Sequence, residues 1–501
     1  VTVAKTTSDA LDRIAREDEP AVAGPTGRLV PMIIGSALFM QTLDATVISN
    51  ALPTMAKALH EDPLTLNLAI TAYLLASAVF LPISGWVADR FGAKTVFRVA
   101  IGLFAISSLG CGLSHSLPEL VAARMFQGMA GAMMAPVGRL VLLRSVPKSE
   151  LVRAMSYLTM PAMLGPVLGP PIGGFIVTHF SWQWIFYINL PIGVLGIVLV
   201  SLFIGDVRET KVPPLDWRGF ILTGFGLAGV VYGFENLGRG ILPFAVVAGL
   251  FVGGGVCLGL YALHIRTAPY PLIDISLLKV RTFMASVVGG VFLRMSMGAT
   301  PFMLALLLQI GFGMDALAAG LMTFASAAGA LVMKTTARPI LARFGFKAVL
   351  VSNTVITAVI FMGYSAFSIG TPHWLIIITL LIGGFFRSLQ FTALNAMAYA
   401  DIPQDRMSQA SSLSSMGQQL SQSIGIGTAA ILLHVIQGLH HSATLRPAEV
   451  SPAFFIIGLI SMGGLIFFVP LPKDVAAEVS GRKPRVAATP EPHRDLAIAE
   501  D

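Results

Sequence analysis

The apolar residues of this chain fall in long, nearly unbroken blocks, and this spacing constrains the fold more than any other feature. The blocks at 244–263, 454–469 and 374–386 approach or reach the roughly 20 residues that a helix needs to cross bilayer hydrocarbon. A water-soluble globule of 501 residues must still cover itself with polar side chains. Here only 12% of the residues are charged and 55% are hydrophobic, against roughly a quarter charged in soluble domains. The mean hydropathy is +0.78. The chain therefore reads as an all-α polytopic membrane protein.

Fourteen blocks read as spans, near 29–52, 64–88, 95–114, 118–142, 152–178, 184–205, 217–236, 242–264, 282–310, 316–336, 347–368, 373–398, 408–437 and 452–471. The basic residues test this division independently. Of 33 lysines and arginines, 27 fall in the tails and in alternate loops on one side, including Lys94, Lys148, Lys334 and Arg343. The opposite side receives only Lys57, Arg239 and Arg446, while Arg124, Arg294 and Arg387 stay inside spans. By the positive-inside rule both termini are expected in the cytoplasm, as in a multi-pass protein of the inner (plasma) membrane. This distribution also separates the net charge of +7 from a nucleic-acid surface, since the cations sit between apolar blocks. Residues 1–28 are polar and mixed in charge, so no cleavable signal peptide is expected and the first span is expected to lead insertion.

An internal repeat links the halves. Arg90-Phe91-Gly92-x-Lys94 follows the second block and recurs as Arg343-Phe344-Gly345-x-Lys347 after the tenth. Two blocks further on in each half comes Arg-x-x-Gln, at Arg124 and Gln127 and again at Arg387 and Gln390. Such matching positions are the mark of a transporter built from two related halves. The expected division is a tail at 1–28, a six-helix bundle at 29–205, a linker with two extra helices at 206–281, a second bundle at 282–471 and a tail at 472–501.

Further motifs lie between. Leu43-Asp44-Ala45-Thr46-Val47 precedes Ala51-Leu52-Pro53, and Gly85-x-x-x-Asp89-Arg90-x-Gly92-x-Lys94 closes the second block. Gly165-x-x-x-Gly169-Pro170-Pro171-x-Gly173-Gly174 crosses the fifth, and Ser181-Trp182-x-Trp184-Ile185-Phe186-x-Ile188-Asn189-x-Pro191 opens the sixth. Together these resemble the signatures of the major facilitator superfamily, specifically its fourteen-helix drug:proton antiporter branch. Ala93 departs from that pattern, standing where a basic residue is usual. The resemblance spans nearly all of 29–471. It implies two six-helix bundles, alternating access, protons and a small molecule as passengers, and no need for an oligomer. It does not name the substrate.

The residues carry physical readings of their own. Asp44 is a carboxylate inside a span, where desolvation raises and a nearby cation lowers its affinity for a proton. It reads as a proton-coupling group with Arg124, or as half of a permanent ion pair between two helices. The glycines at 165, 169 and 173 form a smooth ridge, read with Pro170 and Gly174 as a gate or as a packing face. Gly85, Asp89, Arg90, Gly92, Lys94 and Arg343 read as a gating loop at converging helix ends. Gln41, Gln127, Arg294, Arg387, Gln390, Asn395, Ser415, Gln418 and Gln422 read as the lining of a polar cavity. Two arginines there suit an anionic substrate. Alternatively Arg387 bonds helix-end carbonyls and Arg294 crosses the midline to Asp44.

Other classes find no footing. The chain contains no G-x-x-x-x-G-K-[S/T] loop for a nucleotide-driven pump and no H-E-x-x-H for a metalloprotease. The pair His440-His441 reads as surface. No cofactor, metal or nucleic acid is expected, and the proton gradient is the expected drive. Broad export of amphipathic drugs is the leading reading, consistent with 22 methionines and 31 phenylalanines. Export of an organic anion or a metal chelate of one is the alternative.

Overall fold

The computed structural model describes residues 26–61, 66, 68–205, 212–237, 242–314, 316–440 and 447–480. The cations of both tails up to Arg16 and from Arg482, with Arg208, Lys211, Arg239, Arg446 and His441, lie outside them, as does the side chain of His440.

The described residues form helices and turns, with no strand among them. In chain order the helices are α1 Thr26–Leu59, α2 Leu68–Phe80, α3 Ser84–Phe91, α4 Ala93–Gly112 and α5 Leu117–Ser145. Then come α6 Leu151–His179, α7 Trp184–Phe203, α8 Trp217–Asn236 and α9 Phe244–His264. The last six are α10 Arg281–Gln309, α11 Ala316–Phe344, α12 Phe346–Gly363, α13 His373–Met397, α14 Met407–His440 and α15 Pro447–Ser461. Twelve described helices are long and apolar enough to cross a membrane, and the bent pair α2–α3 makes thirteen. α8, as long as α4 at 20 residues, is not among the thirteen.

The second block is bent, not straight. α2 and α3 meet at 62°, across turns at 81–83 that hold Pro82. Proline has no N–H to give the helical ladder, so the chain kinks there. α6 runs as one continuous helix through Pro161, Pro166, Pro170 and Pro171. Pro166 cannot bond the carbonyl of Ala162, and the hydroxyl of Thr42 on α1 donates to that carbonyl at 2.9 Å instead. A neighbouring helix thus supplies the bond that proline withholds.

Packing sorts the helices into groups. α1 lies along α6, α2 and α4 along α5, and α7 along α1 and α4. α10 lies along α14, α11 and α12 along α13, and α15 along α12. α8 and α9 pair with each other, and α8 touches both groups. A Cβ on Gly224 of α8 would come within 2.7 Å of the Val79 carbonyl of α2. A Cβ on Gly427 of α14 would come within 3.1 Å of the Phe234 carbonyl of α8. α8 is therefore wedged between α2 and α14.

The loop after α9 is tied to the second group. Asp274 accepts from the Ser276 amide at 2.9 Å and pairs with Arg406. Burial works to raise the Asp274 carboxyl, but the bonds from Ser276 and Arg406 outweigh it and hold the group below its ordinary value.

Candidate functional site

Asp44 lies within α1 and is 3% exposed. Arg124 Nη1 on α5 donates to its Oδ2 at 2.6 Å. Oδ1 accepts from Gln127 Nε2 and from Asn189 Nδ2, both at 2.9 Å. Ser108 on α4 accepts from the same two amides at 2.7 and 3.2 Å. Arg124 also donates to Gln127 Oε1 and, through Nε, to the Ala69 carbonyl at 3.4 Å, with its guanidinium 4.5 Å above the Tyr73 ring. Both carboxylate oxygens are thus engaged by donors, as a buried charge requires. Arg124 and Gln127 reach one carboxylate because i and i+3 share a helix face.

This arrangement removes one expectation: Arg294 does not reach Asp44. It is 1% exposed on α10, and its Nη1 donates to the carbonyls of Ser286 and Val287 at 3.0 and 3.4 Å. Those carbonyls belong to a π-helical stretch, Ala285–Gly289, where the ladder is shifted by a residue. Its Nε and Nη2 have no hydrogen-bond partner among the described residues. Arg139 Nη1 on α5 donates to Tyr399 Oη at 3.2 Å and to Ser415 Oγ at 3.3 Å.

The remaining polar candidates do not share one surface. Arg387 donates to Thr300 Oγ1 at 3.0 Å and Ser326 Oγ at 2.6 Å, not to helix-end carbonyls. Gln390 turns away toward α12, where it bonds Asn353 and Thr354 at 3.0 and 2.8 Å. The cavity reading of Gln390 is thereby corrected: its amide is spent joining α12 to α13. Gln41 donates to the Gly131 carbonyl at 3.0 Å. Asn395 accepts from Gln418 at 3.1 Å, and Gln422 is half-buried where its carbonyl abuts Gly298.

The glycine ridge of α6 faces α1. A Cβ at Gly165 would sit 2.1 Å from Thr42 Oγ1, one at Gly169 2.1 Å from Thr46 Oγ1, and one at Gly173 3.0 Å from the Val47 carbonyl. Nothing lies within 4 Å of one at Gly174. The ridge is a close contact inside the first group of helices. The side chain of Pro170 lies outside the described residues.

The loop motif does join the two groups. A Cβ on Gly85 would come within 2.8 Å of the Ser408 carbonyl on α14. Asp89 takes Arg144 at 3.0 Å on one oxygen and the Ser408 hydroxyl on the other. Ser84 and Ser412 lie 2.9 Å apart, Ser411 donates to the Pro136 carbonyl at 2.8 Å, and Lys148 reaches the Ala400 carbonyl at 2.9 Å. These bonds cluster at the end carrying the basic loops. Gly92 and Gly345 hold φ of 87° and 78°, which explains why the repeat keeps glycine at both. Lys94 bonds the Ser201 carbonyl at 3.0 Å, while Arg90 and Arg343 are exposed and form no ion pair among the described residues. Lys334 belongs to no loop: it lies within α11 and is 7% exposed.

Several of these residues were not singled out from sequence. Asn189 had a signal, its place in the motif before Pro191. Ser108, Tyr73, Arg139 and Tyr399 had none, because hydroxyls and loop-end arginines are common in such chains.

Comparisons with known proteins agree on the class. The family model described as Major Facilitator Superfamily matches residues 34–285 and 286–497. A Pectobacterium atrosepticum protein, provisionally named multidrug resistance protein MdtD, is 38% identical over 455 residues, covering 90% of this chain and 97% of its own. A Cronobacter sakazakii protein with the same provisional name is 35% identical over 461 residues, covering 91% and 97%. Among solved structures, the human organic anion transporter MFSD10 superposes with a TM-score of 0.63 at 15% identity, over 89% of this chain and all of that one. The proton:xylose symporter XylE gives 0.62 at 14%, over 91% and 98%.

Proposed function

Because this chain belongs to the major facilitator superfamily, and is thus a multi-pass membrane transporter and not an enzyme, we propose that it exports small amphipathic compounds in exchange for protons. The proposal includes the fourteen-helix branch, with α8 as the fourteenth span and the hairpin α8–α9 as the insert between bundles at 29–205 and 282–471. It also includes the inner membrane and cytoplasmic termini, so that the basic-loop end faces the cytoplasm. The names of the relatives support the drug reading.

The observation that carries the coupling is the buried Asp44, with Arg124, Gln127 and Asn189 on its oxygens. Protonation removes the charge that holds Arg124 and turns one oxygen into a donor, so the four-helix junction must rearrange. In the state that opens away from the basic-loop end, Asp44 takes its proton. That proton biases the equilibrium toward the alternate state, in which it leaves and Arg124 returns. Drive comes from the proton gradient alone, with no cofactor, and one chain suffices. Transport into proteoliposomes under an imposed pH gradient tests this. Uptake that ignores the gradient would refute the coupling.

A second reading, export of an organic anion or its metal chelate, is favoured by one observation. Among the described residues, two donor nitrogens of Arg294 have no partner, and the hydrogen-bond partners of Arg387 are hydroxyls. A substrate carboxylate would satisfy them.

A further inference from the structure

Between α6 and α11, at the basic-loop end, lies a cavity of about 240 Å³ lined by Arg153, Tyr157 and Met160 on one side and Lys334, Thr335 and Arg338 on the other. Three cations meet there. Glu150 pairs with Arg338 at 3.0 Å and with Arg153 at 3.5 Å. Lys334 is different: it is 7% exposed, its Nζ donates to Thr392 Oγ1 at 2.8 Å, and no carboxylate is within ion-pair distance among the described residues. An ammonium has three donors and costs much to bury uncompensated. Among the described residues, one carboxylate thus pairs with the cations of the cleft, against three of them, and the least compensated stands at its wall.

The surroundings say what kind of anion fits. Along α11 the exposed residues Leu321 and Phe324, and two turns on Val332 and Thr335, lie on one helix face, with half-buried alanines between. Leu321, Phe324 and Val332 make an apolar face that reaches the cavity at Thr335. The junction of α2 with α14 is covered by the inserted α8, whereas no contact of α8 or α9 with α6 or α11 stands among the main helix pairings. A soluble anion has no use for an apolar stripe, but an acyl chain does.

We propose that this cleft is a binding site for an anionic phospholipid, its phosphate between Lys334, Arg338 and Arg153 and its acyl chains along the α11 stripe. Because Arg153 and Lys334 belong to the two different helix groups, the bound headgroup bridges them and stabilises the closed basic-loop end. Basic pockets between spanning helices are recognised sites of this kind.

The test uses the purified full chain in phosphatidylcholine nanodiscs, to which phosphatidylglycerol, more phosphatidylcholine or inorganic phosphate is supplied. Retained lipid is read by native mass spectrometry and stability by thermal melting. Phosphatidylglycerol is expected to be retained and to raise the melting temperature. Lys334→Met and, separately, Arg338→Gln are expected to weaken that retention by about fivefold each, the effect of one basic residue at a membrane surface. Melting in phosphatidylcholine alone should not fall for Lys334→Met, since an uncompensated buried charge has been removed. Arg338→Gln, at the rim, serves if Lys334→Met does not fold. Retention unchanged in both variants would overturn the site. Protection by inorganic phosphate equal to that by phosphatidylglycerol would make the ligand a soluble phosphate and overturn the lipid assignment.

Discussion

Asp44 shows how little a single residue reveals before its neighbours are known. The sequence marks it as a carboxylate inside a span, but its partners come from α5 and α7. Asp44→Asn keeps the shape and a carbonyl for Arg124 while removing the titratable group. It leaves the guanidinium without a counter-charge, so melting should drop, by up to about 3–5 kcal/mol for a broken buried pair. Substrate counterflow should persist while gradient-driven uphill transport fails. Uphill transport at the normal rate in Asp44→Asn would move the coupling elsewhere, with the buried Glu235 of α8 next in line. Arg294 and Arg387 are the other residue-scale question. If either holds a substrate anion, its change to Gln should weaken an anionic ligand by about 1.5–3 kcal/mol per charged bond and spare a cationic one. Loss of both ligands together with a lower melting temperature would leave them as structural groups only.

Among the elements, α6 carries the ridge read from sequence as a gate or as a packing face. The helix runs unbroken through its prolines, and its glycine ridge fits the hydroxyls of α1. Gly169→Leu should force α1 and α6 apart, costing about 1–3 kcal/mol or more from overpacking. Transport and melting temperature should fall together, and Gly174→Ala, with open space around it, should change neither. Full stability of Gly169→Leu with transport alone abolished would favour the gating role. The bend between α2 and α3 was not legible as a bend, because a lone proline near a helix end fits a straight span equally well.

On the scale of the whole molecule, the bonds between the two helix groups lie at one end. Ser84 and Ser412, 2.9 Å apart at their hydroxyls, can be replaced together by cysteine. Oxidation should then lock that end and stop transport, and reduction should restore it. Undiminished transport by the oxidised, cross-linked protein would mean that this contact never opens in the cycle. Orientation is tested by single cysteines at Ser149, exposed in the α5–α6 loop, and at Ser116, before α5. In intact cells an impermeant thiol reagent should label the second and not the first. The reverse pattern would invert the membrane topology.

What the sequence determined by itself is whatever depends on residues adjacent along the chain. A run of apolar side chains crosses lipid wherever it packs, so span lengths, the all-helical class and the paired loops were legible. The glycines of the repeat were legible for the same reason, since a positive φ at Gly92 and Gly345 is a local demand. Which helices touch is a different matter. Lys334 looked like a loop cation because it lies only nine residues before Arg343, and only the packing of α11 on α13 buries it. Gln390 looked like a cavity residue until α12 offered Asn353 and Thr354, and Arg294 was a candidate partner of Asp44 until Arg124 proved to be the one in reach. In lipid nearly every helix surface is apolar, so the pattern that picks out a buried face in water is muted, and partners are chosen by a few polar groups and small residues. The tertiary structure alone decides those meetings, because they join residues far apart in the chain.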